Sequence, residues 1–175
     1  MGMMVTNMHF RESTSLFNKV NGFTLIELMI VVSILSILVS IGIPSYHQHT
    51  VKTQIKQALL YSEQLKQNVN EYYRVHQRLP TSNKQAGLPE PEYLISNYVT
   101  SVEVNGGALQ IQLGNKINQK LAGKVLTLHP FTVNDSAKSP IAWGCGYSKA
   151  PQGMSKKGSS RTDIDHYYLP IQCRI

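Results

Sequence analysis

Phe23–Ile43 reads FTLIELMIVVSILSILVSIGI and contains a single charged residue, Glu27. At 1.5 Å per residue, a helix of this length spans roughly 31 Å, which is the thickness of one bilayer core. Pro44 follows the run directly. A secretory signal peptide has a shorter apolar region with a small-x-small cleavage site after it, and no such site follows here. We therefore predict that residues 23–44 form a membrane-spanning helix that the mature protein retains.

Glu27 is the anomaly in this apolar segment. A carboxylate near mid-bilayer costs about 2.5–3.5 kcal/mol, and less near a helix end. Glu27 lies within the first turn and a half of the predicted helix, where the positive end of the helix dipole offsets part of that cost. The acid either lies at the lipid headgroups or needs a cationic partner from another chain, and the composition alone leaves both interpretations open.

The residues around Glu27 resemble those of a known family. The stretch Gly22-Phe23-Thr24-Leu25-Ile26-Glu27 is similar to the processing site of type IV prepilins. The resemblance implies that prepilin peptidase removes residues 1–22 as a leader by cutting between Gly22 and Phe23. It also implies that the same enzyme N-methylates Phe23, and that Glu27 pairs with the freed amine of Phe23 on a neighbouring subunit.

Gly42 and Pro44 match the pattern of the same family, and together with Thr24 and Glu27 they are the residues that the resemblance places in assembly. Proline lacks a backbone N–H and disfavours helix at the residue before it. We therefore expect a kink or local melting at Ile43, which would let the packed helices of a filament stretch.

The helical pattern continues after Pro44 to about Arg78 and is amphipathic in this second half. Its apolar face consists of Val51, Ile55, Ala58, Leu59, Leu65, Val69 and Tyr72. We expect this face to pack against a sheet, whereas the first half of the helix stays uncovered until assembly.

The remaining chain predicts a small antiparallel sheet. Residues 79–97 are rich in Pro, Gly and polar groups and indicate a loop. Asn105-Gly106-Gly107 is a tight-hairpin signal, and a proline inside a strand favours an edge or bulge position for Pro130. The predicted strands are Tyr98–Val104, Ala108–Leu113, Lys124–Val133 and Ile141–Cys145. The predicted fold class is α+β, a long N-terminal helix packed on a small antiparallel sheet, with residues 45–175 as the globular domain.

Cys145 and Cys173 are the only cysteines. A disulfide is expected if this domain lies outside the cytoplasm, and two free buried thiols are the alternative. The surrounding segment, from Trp143-Gly144-Cys145 to Leu169-Pro170-Ile171-Gln172-Cys173, resembles the disulfide-bounded C-terminal region of type IVa pilins. Such a bond would stabilise by roughly 3.5 kcal/mol in the chain-entropy model. Because the segment is rich in Gly, Pro and Ser, we expect little ordering by burial and a looser segment after reduction.

The chain is basic, with a formal net charge of +7. Between the two cysteines lie Lys149, Lys156, Lys157 and Arg161, with tyrosines nearby. Basic groups interleaved with aromatics can bind DNA through phosphates and base stacking, so these four residues are candidate DNA contacts. A solvated variable loop is the plainer interpretation.

No arrangement of residues in the sequence indicates catalysis. The chain has no HExxH motif, no Gly-rich phosphate loop and no Ser/His/Asp pattern. His47 and His49 are two positions apart and would face different directions on a helix. We therefore predict that the protein is not an enzyme, and that it has no metal site and no cofactor.

Together these features predict a structural subunit of a type IV pilus. Its partners would be copies of itself in a helical filament, prepilin peptidase and the inner-membrane assembly machinery. It would lie in the inner membrane as a precursor and then in an extracellular pilus that serves adhesion, twitching motility or DNA uptake. The alternatives are a minor pilin that binds DNA through residues 145–173, or a type II secretion pseudopilin, although pseudopilins generally lack a disulfide-bounded loop.

Overall fold

The computed structural model describes residues 22–174, with the backbone alone described for residues 42–48. The chain forms two compact units, Met1–Ile41 and Gly42–Ile175. Apart from Gly22, the predicted leader over residues 1–22 lies outside the described residues.

The helix α1 comprises Leu25–His76, and both of its ends have recognisable local causes. At the start, Thr24 Oγ1 accepts a hydrogen bond from the backbone N–H of Glu27 at 3.3 Å, as an N-cap side chain does. At the other end, Gln77 adopts a left-handed conformation with φ 53° and donates to the carbonyl of Tyr73 at 2.8 Å. The helix therefore ends two residues before the predicted Arg78.

The helix α1 continues without a break through Gly42 and Pro44. The local melting expected at Ile43 is therefore absent from this structure. Proline removes one hydrogen bond from a helix but does not by itself prevent the neighbouring turns from forming.

The rest of the chain forms an antiparallel sheet, which confirms the predicted α+β class. The strands are β1 Val99–Asn105, β2 Ala108–Leu113, β3 Val125–Val133, β4 Ala142–Cys145 and β5 Met154–Lys156. The sheet order is β1-β2-β3-β4, and β5 also pairs with β3. Two short 3₁₀ turns, Pro91–Tyr93 and Ile171–Cys173, complete the described elements.

The predicted hairpin is confirmed between β1 and β2. Asn105 pairs with Ala108, so the loop consists of Gly106 and Gly107. Their φ angles are 58° and 82°, the left-handed values that a type I′ turn requires at both central positions. A Cβ atom at Gly107 would also lie 2.8 Å from the side chain of Leu79, so this position has two reasons to be glycine.

Pro130 lies within β3 and not at an edge of the sheet, so the edge position, one of the two that the sequence favoured, is wrong. On one side β3 pairs with β4. On the other side β2 pairs with β3 only as far as Leu128, and β5 begins to pair at Phe131. The carbonyl of Pro130 accepts the N–H of Lys157 on that second side. The missing N–H of Pro130 therefore falls where β2 has stopped pairing and β5 has just begun, and there the Nδ1 of His129 donates to the carbonyl of Lys157 in its place.

The core lies between the second half of α1 and the sheet, as predicted. Val51, Ile55, Ala58 and Val69 of the helix are completely buried. Tyr73 is buried, whereas the predicted Tyr72 is only partly buried and stacks on His76 with ring centroids 4.1 Å apart. The sheet contributes Val99, Val102, Leu109, Ile111, Leu113, Leu126 and Leu128 to the same core.

Candidate functional site

The first unit contains a helix segment whose apolar side chains are all exposed. We define residues 23–41 as the assembly segment. Its large apolar side chains are between 47% and 84% exposed; they are Phe23, Leu25, Ile26, Leu28, Met29, Ile30, Val31, Val32, Ile34, Leu35, Ile37, Leu38, Val39 and Ile41. Since five consecutive positions, 28–32, belong to this set, apolar surface covers every side of the helix. A helix that is apolar all round is stable only when a membrane or other protein surrounds it.

The polar side chains of the assembly segment are satisfied within the helix. Ser33 donates its hydroxyl to the carbonyl of Met29 at 2.7 Å, and Ser36 donates to the carbonyl of Val32 at 2.7 Å. Ser40 bonds in the same way to Ile37. Hydroxyls bonded to the preceding turn need no outside partner, so they can enter an apolar environment at little cost.

Glu27 is the exception in the assembly segment. Its backbone N–H is capped by Thr24, but its side chain is exposed. Within the part of the chain that the structure describes, no cationic side chain lies within ion-pair distance of its carboxylate. Among the described residues of its own chain, the single acid of the assembly segment therefore has no counter-charge.

The predicted cleavage site precedes this helix. Gly22 and Phe23 are outside α1 and are exposed. Among the described residues, no heavy atom beyond the chain neighbours lies within 4 Å of the position of a Cβ at Gly22. Gly42 and Pro44 lie in α1, and the structure describes only their backbone.

The structure also bears on the predicted membrane-spanning helix. Over the described residues, no helix combines the length and the apolar character needed to cross a lipid bilayer.

The second unit carries the disulfide, which confirms the predicted pairing. Cys145 at the end of β4 is bonded to Cys173 in the second 3₁₀ turn, with their Cα atoms 4.7 Å apart. Both residues are buried. The bond therefore ties the C-terminal turn to β4.

The segment between the cysteines is better anchored than its composition indicated. Ile164 and Leu169 are completely buried, and the hydroxyl of Tyr147 donates to the carbonyl of Ile164 at 3.1 Å. The strand β5, which sequence reasoning missed, also lies in this segment. The expectation that burial contributes little here is therefore wrong: two apolar anchors and a three-residue strand hold the segment on the sheet.

The four candidate DNA contacts do not form one free basic cluster. Lys156 donates from Nζ to the carbonyls of Gly146 and Ser148 at 3.4 and 3.3 Å, and partial burial lowers the pKa of its ammonium group. Arg161 donates to Gln110 at 3.2 Å and forms an ion pair with Glu103 at 3.5 Å. Lys149 and Lys157 are exposed. Two of the four cations are thus engaged with their own chain.

Histidines and acids form no metal centre in the described residues, where no group of three such side chains is placed to hold an ion. His129, which is completely buried, donates from Nδ1 to the carbonyl of Lys157 at 3.2 Å. Burial lowers the pKa of its imidazole.

Sequence reasoning missed two surfaces of the second unit. One is an exposed acidic and apolar loop at residues 90–95. The other is a groove of about 370 Å³ between the helix at residues 49–56 and the C-terminal residues 169–174. The loop contains no recognisable sequence motif. The groove joins two stretches that lie more than a hundred residues apart in the sequence.

Comparison with known proteins gives family-level matches along most of the chain. Residues 51–174 match the family model described as pilin, a bacterial filament protein. Residues 17–43 match the model for the prokaryotic N-terminal methylation motif. The two matches cover the second half of the helix with the sheet, and the assembly segment, respectively.

Several individual proteins are similar over most of their length. The type IV major pilin protein PilE1 of Neisseria gonorrhoeae is 36% identical over 159 residues, which cover 87% of this chain and 86% of that protein. A fimbrial protein of Neisseria meningitidis serogroup B is 35% identical over 165 residues, covering 87% of this chain and 93% of the relative. Fimbrial protein Q of Moraxella bovis is 33% identical over 156 residues, covering 79% and 94%.

Proposed function

The chain belongs to the pilin family of bacterial filament proteins, and we propose that it polymerises through residues 23–44 after its leader is removed. It is a structural subunit of type IV pili. The observation that carries the proposal is the assembly segment, in which every large apolar side chain is exposed and the one acid has no ion-pair partner among the described residues.

Two environments in turn would cover this segment. We propose that the precursor first lies in the inner membrane, with lipid around residues 23–44. The helix would then move into a bundle of identical helices in the filament. Lipid tails are as apolar as the side chains of a helix bundle, so this transfer gains little from apolar burial alone. Close side-chain packing and polar contacts must therefore supply the preference for the filament.

Glu27 is the group that would set the register of this packing. Cleavage after Gly22 exposes the amine of Phe23, which becomes a cation in a segment that otherwise has none. In the dry core of a bundle, an acid without a partner is strongly disfavoured, whereas a well-placed ion pair is tolerated. The amine of Phe23 on a neighbouring subunit would make Glu27 compatible with the core in only one register.

Processing and export require partners that the chain does not carry. We propose cleavage and N-methylation at Phe23 by prepilin peptidase, because residues 17–43 match the methylation motif. Inner-membrane assembly machinery would then extract the processed subunit into an extracellular pilus. We do not advance DNA binding as a second function, since Lys156 and Arg161 are engaged within the chain.

The test is a pair of substitutions at Glu27 with a matched control. Glu27→Ala and Glu27→Gln should leave the amount of processed subunit in the membrane unchanged but abolish filaments in the sheared surface fraction. Ser36→Ala is the control, because it removes a polar group that is already satisfied within the helix. It should assemble as the parent does. Normal piliation in Glu27→Ala would refute the pairing.

A further inference from the structure

The loop before β1 presents carboxylates and apolar side chains together. We define the acidic loop as residues 90–95, Glu-Pro-Glu-Tyr-Leu-Ile. Tyr93 is 72% and Ile95 58% exposed, whereas Leu94 is buried and anchors the loop to the core. In the described structure neither Glu90 nor Glu92 has an ion-pair partner. The loop is therefore a fixed protrusion with two free negative charges and two uncovered apolar groups.

The groove at the start of the globular unit has the opposite character. We define the basic groove by His49, Lys52, Lys56, Leu169, Ile171 and Arg174, which line it. No carboxylate side chain is among its described lining residues. The side chain of Ile171 is 72% exposed, so an uncovered apolar group lies among three cations.

Internal contacts hold the basic groove in shape. Arg174 donates from Nε to the carbonyl of Leu169 at 2.9 Å and from Nη2 to that of Tyr167 at 3.2 Å. The Nζ atom of Lys52 lies 5.7 Å from the ring centroid of Tyr167. These contacts go to carbonyls and a ring, and among the described residues no ion pair neutralises Lys52, Lys56 or Arg174. A preformed site of this kind loses little conformational entropy on binding.

The two surfaces lie at opposite edges of the sheet. The turn Pro91–Tyr93 contacts β1, and the turn Ile171–Cys173 contacts β4. Since the sheet order is β1-β2-β3-β4, three inter-strand spacings of about 4.8 Å each separate these edges. In the described structure Glu90 and Glu92 form no ion pair with the cations of the basic groove of their own chain, so a contact between the two surfaces would join two copies.

We propose that the acidic loop of one subunit docks in the basic groove of the next. The contact rests on the proposed filament function and goes beyond it, because it assigns a second interface, outside the assembly segment. Glu90 and Glu92 would face Lys52, Lys56 and Arg174, while Tyr93 and Ile95 cover Ile171. A contact between different surfaces of identical chains is heterologous, and repeated without closure it builds an open helix.

Two other ligands could occupy the basic groove, and their binding would not depend on the acidic loop. Anionic lipid headgroups or DNA phosphates could also bind three cations. Neither would respond to the charges at residues 90 and 92. The matching of the two surfaces in both charge and apolar character favours a second copy, and compensating charge changes separate the three cases.

The first test uses unmodified filaments. A carbodiimide joins a carboxylate to an amine only where the two are in direct contact, so it reports ion pairs. Mass spectrometry of treated filaments should find peptides that link Glu90 or Glu92 to Lys52 or Lys56. The same treatment of detergent-dispersed subunits is the control and should lose these links. Filaments that yield other inter-subunit links but none of these would overturn the docking.

The second test reverses the charges. We expect Glu90→Lys with Glu92→Lys to lower the filament yield by about tenfold or more, and Lys52→Glu with Lys56→Glu to do the same, because like charges then face each other. Combining all four changes should restore most of the yield. The control matched to the groove variant is Lys116→Glu with Lys120→Glu, which lowers the net charge by the same amount on exposed residues outside both surfaces.

The possible results of these tests distinguish a failure of the proposed docking from a failure of the proposed filament function. The amount of mature, disulfide-bonded subunit in the membrane checks that each variant folds. If the unmodified chain forms no filaments, the proposed function fails. If it forms filaments but the combined variant recovers nothing, the docking is wrong. Loss in the groove variant alone, with an acidic-loop variant that assembles normally, would assign the groove to lipid or DNA and would also overturn the docking.

Discussion

Replacing both cysteines by serine should destabilise the globular unit without releasing the whole segment between them. The bond joins positions 28 apart, and closing a loop of this size is worth about 3.6 kcal/mol in the chain-entropy model. Typical domains are stable by about 5–15 kcal/mol. The Cys145→Ser/Cys173→Ser variant should therefore remain folded but lose a large share of its stability.

The structure also indicates which part of the segment stays in place. The N–H of Lys157 donates to Pro130, and that of Asp163 donates to Val125, so the middle of the segment is bonded to β3 independently of the disulfide. The turn Ile171–Cys173 depends on the bond much more. We expect local loosening at this turn, and not throughout the segment as its composition indicated.

Two measurements check this prediction. Guanidinium unfolding of the mature subunit in detergent can be followed through Trp143, the only tryptophan, which lies two residues from Cys145. Hydrogen exchange should rise at residues 170–174 and change little at residues 154–157. The control is reductant, which should shift the parent to the variant's midpoint and leave the variant unchanged. An unchanged unfolding free energy would refute the stabilising role, and free exchange at residues 154–157 would refute the anchoring.

Three further changes test individual parts of the fold. Gly144→Ala would place a Cβ against the ring of Phe131 and should cost about 1–3 kcal/mol of unfolding free energy by overpacking. Asn83→Ala should cost about 1–3 kcal/mol, because it leaves the buried N–H of Val104 without its acceptor; faster exchange of that N–H would confirm it, and unchanged exchange would contradict it. His129 has a pKa below its ordinary value of 6.5 in the folded chain, so the unfolded chain takes up the proton first and stability should fall as pH decreases below 6.5. Urea midpoints between pH 7 and pH 5 would show this slope, and an equal slope in His129→Phe would refute the assignment.

Local patterns in the sequence were sufficient for most of the fold. The helix spacing, the Gly106-Gly107 turn and the alternating strands each depend on neighbouring residues, and the structure places them within a residue or two of their predicted bounds. The strand β5 was not predicted because three residues with no apolar alternation become a strand only by pairing with β3. The left-handed conformation that ends α1 at Gln77 is likewise set by context and not by a glycine.

The candidate functional site also has parts that the sequence predicts and parts that only the tertiary fold determines. The assembly segment and the cysteine pair could be predicted, because a long apolar run and two cysteines in recognisable contexts are properties of the sequence itself. The engagement of Lys156 and Arg161 could not, since their acceptors at Gly146 and Gln110 are set by the tertiary fold. A basic run in the sequence therefore overstated the free positive charge on this surface.

The central claim is that the filament is built from chains whose leader has been cut to expose the amine of Phe23. The most direct test is the intact mass of the subunit in filaments sheared from the cell surface. We predict one dominant species with the mass of residues 23–175, one added methyl group and the loss of two hydrogens for the disulfide. Filaments composed of subunits that still carry the residues before Phe23 would contradict the account.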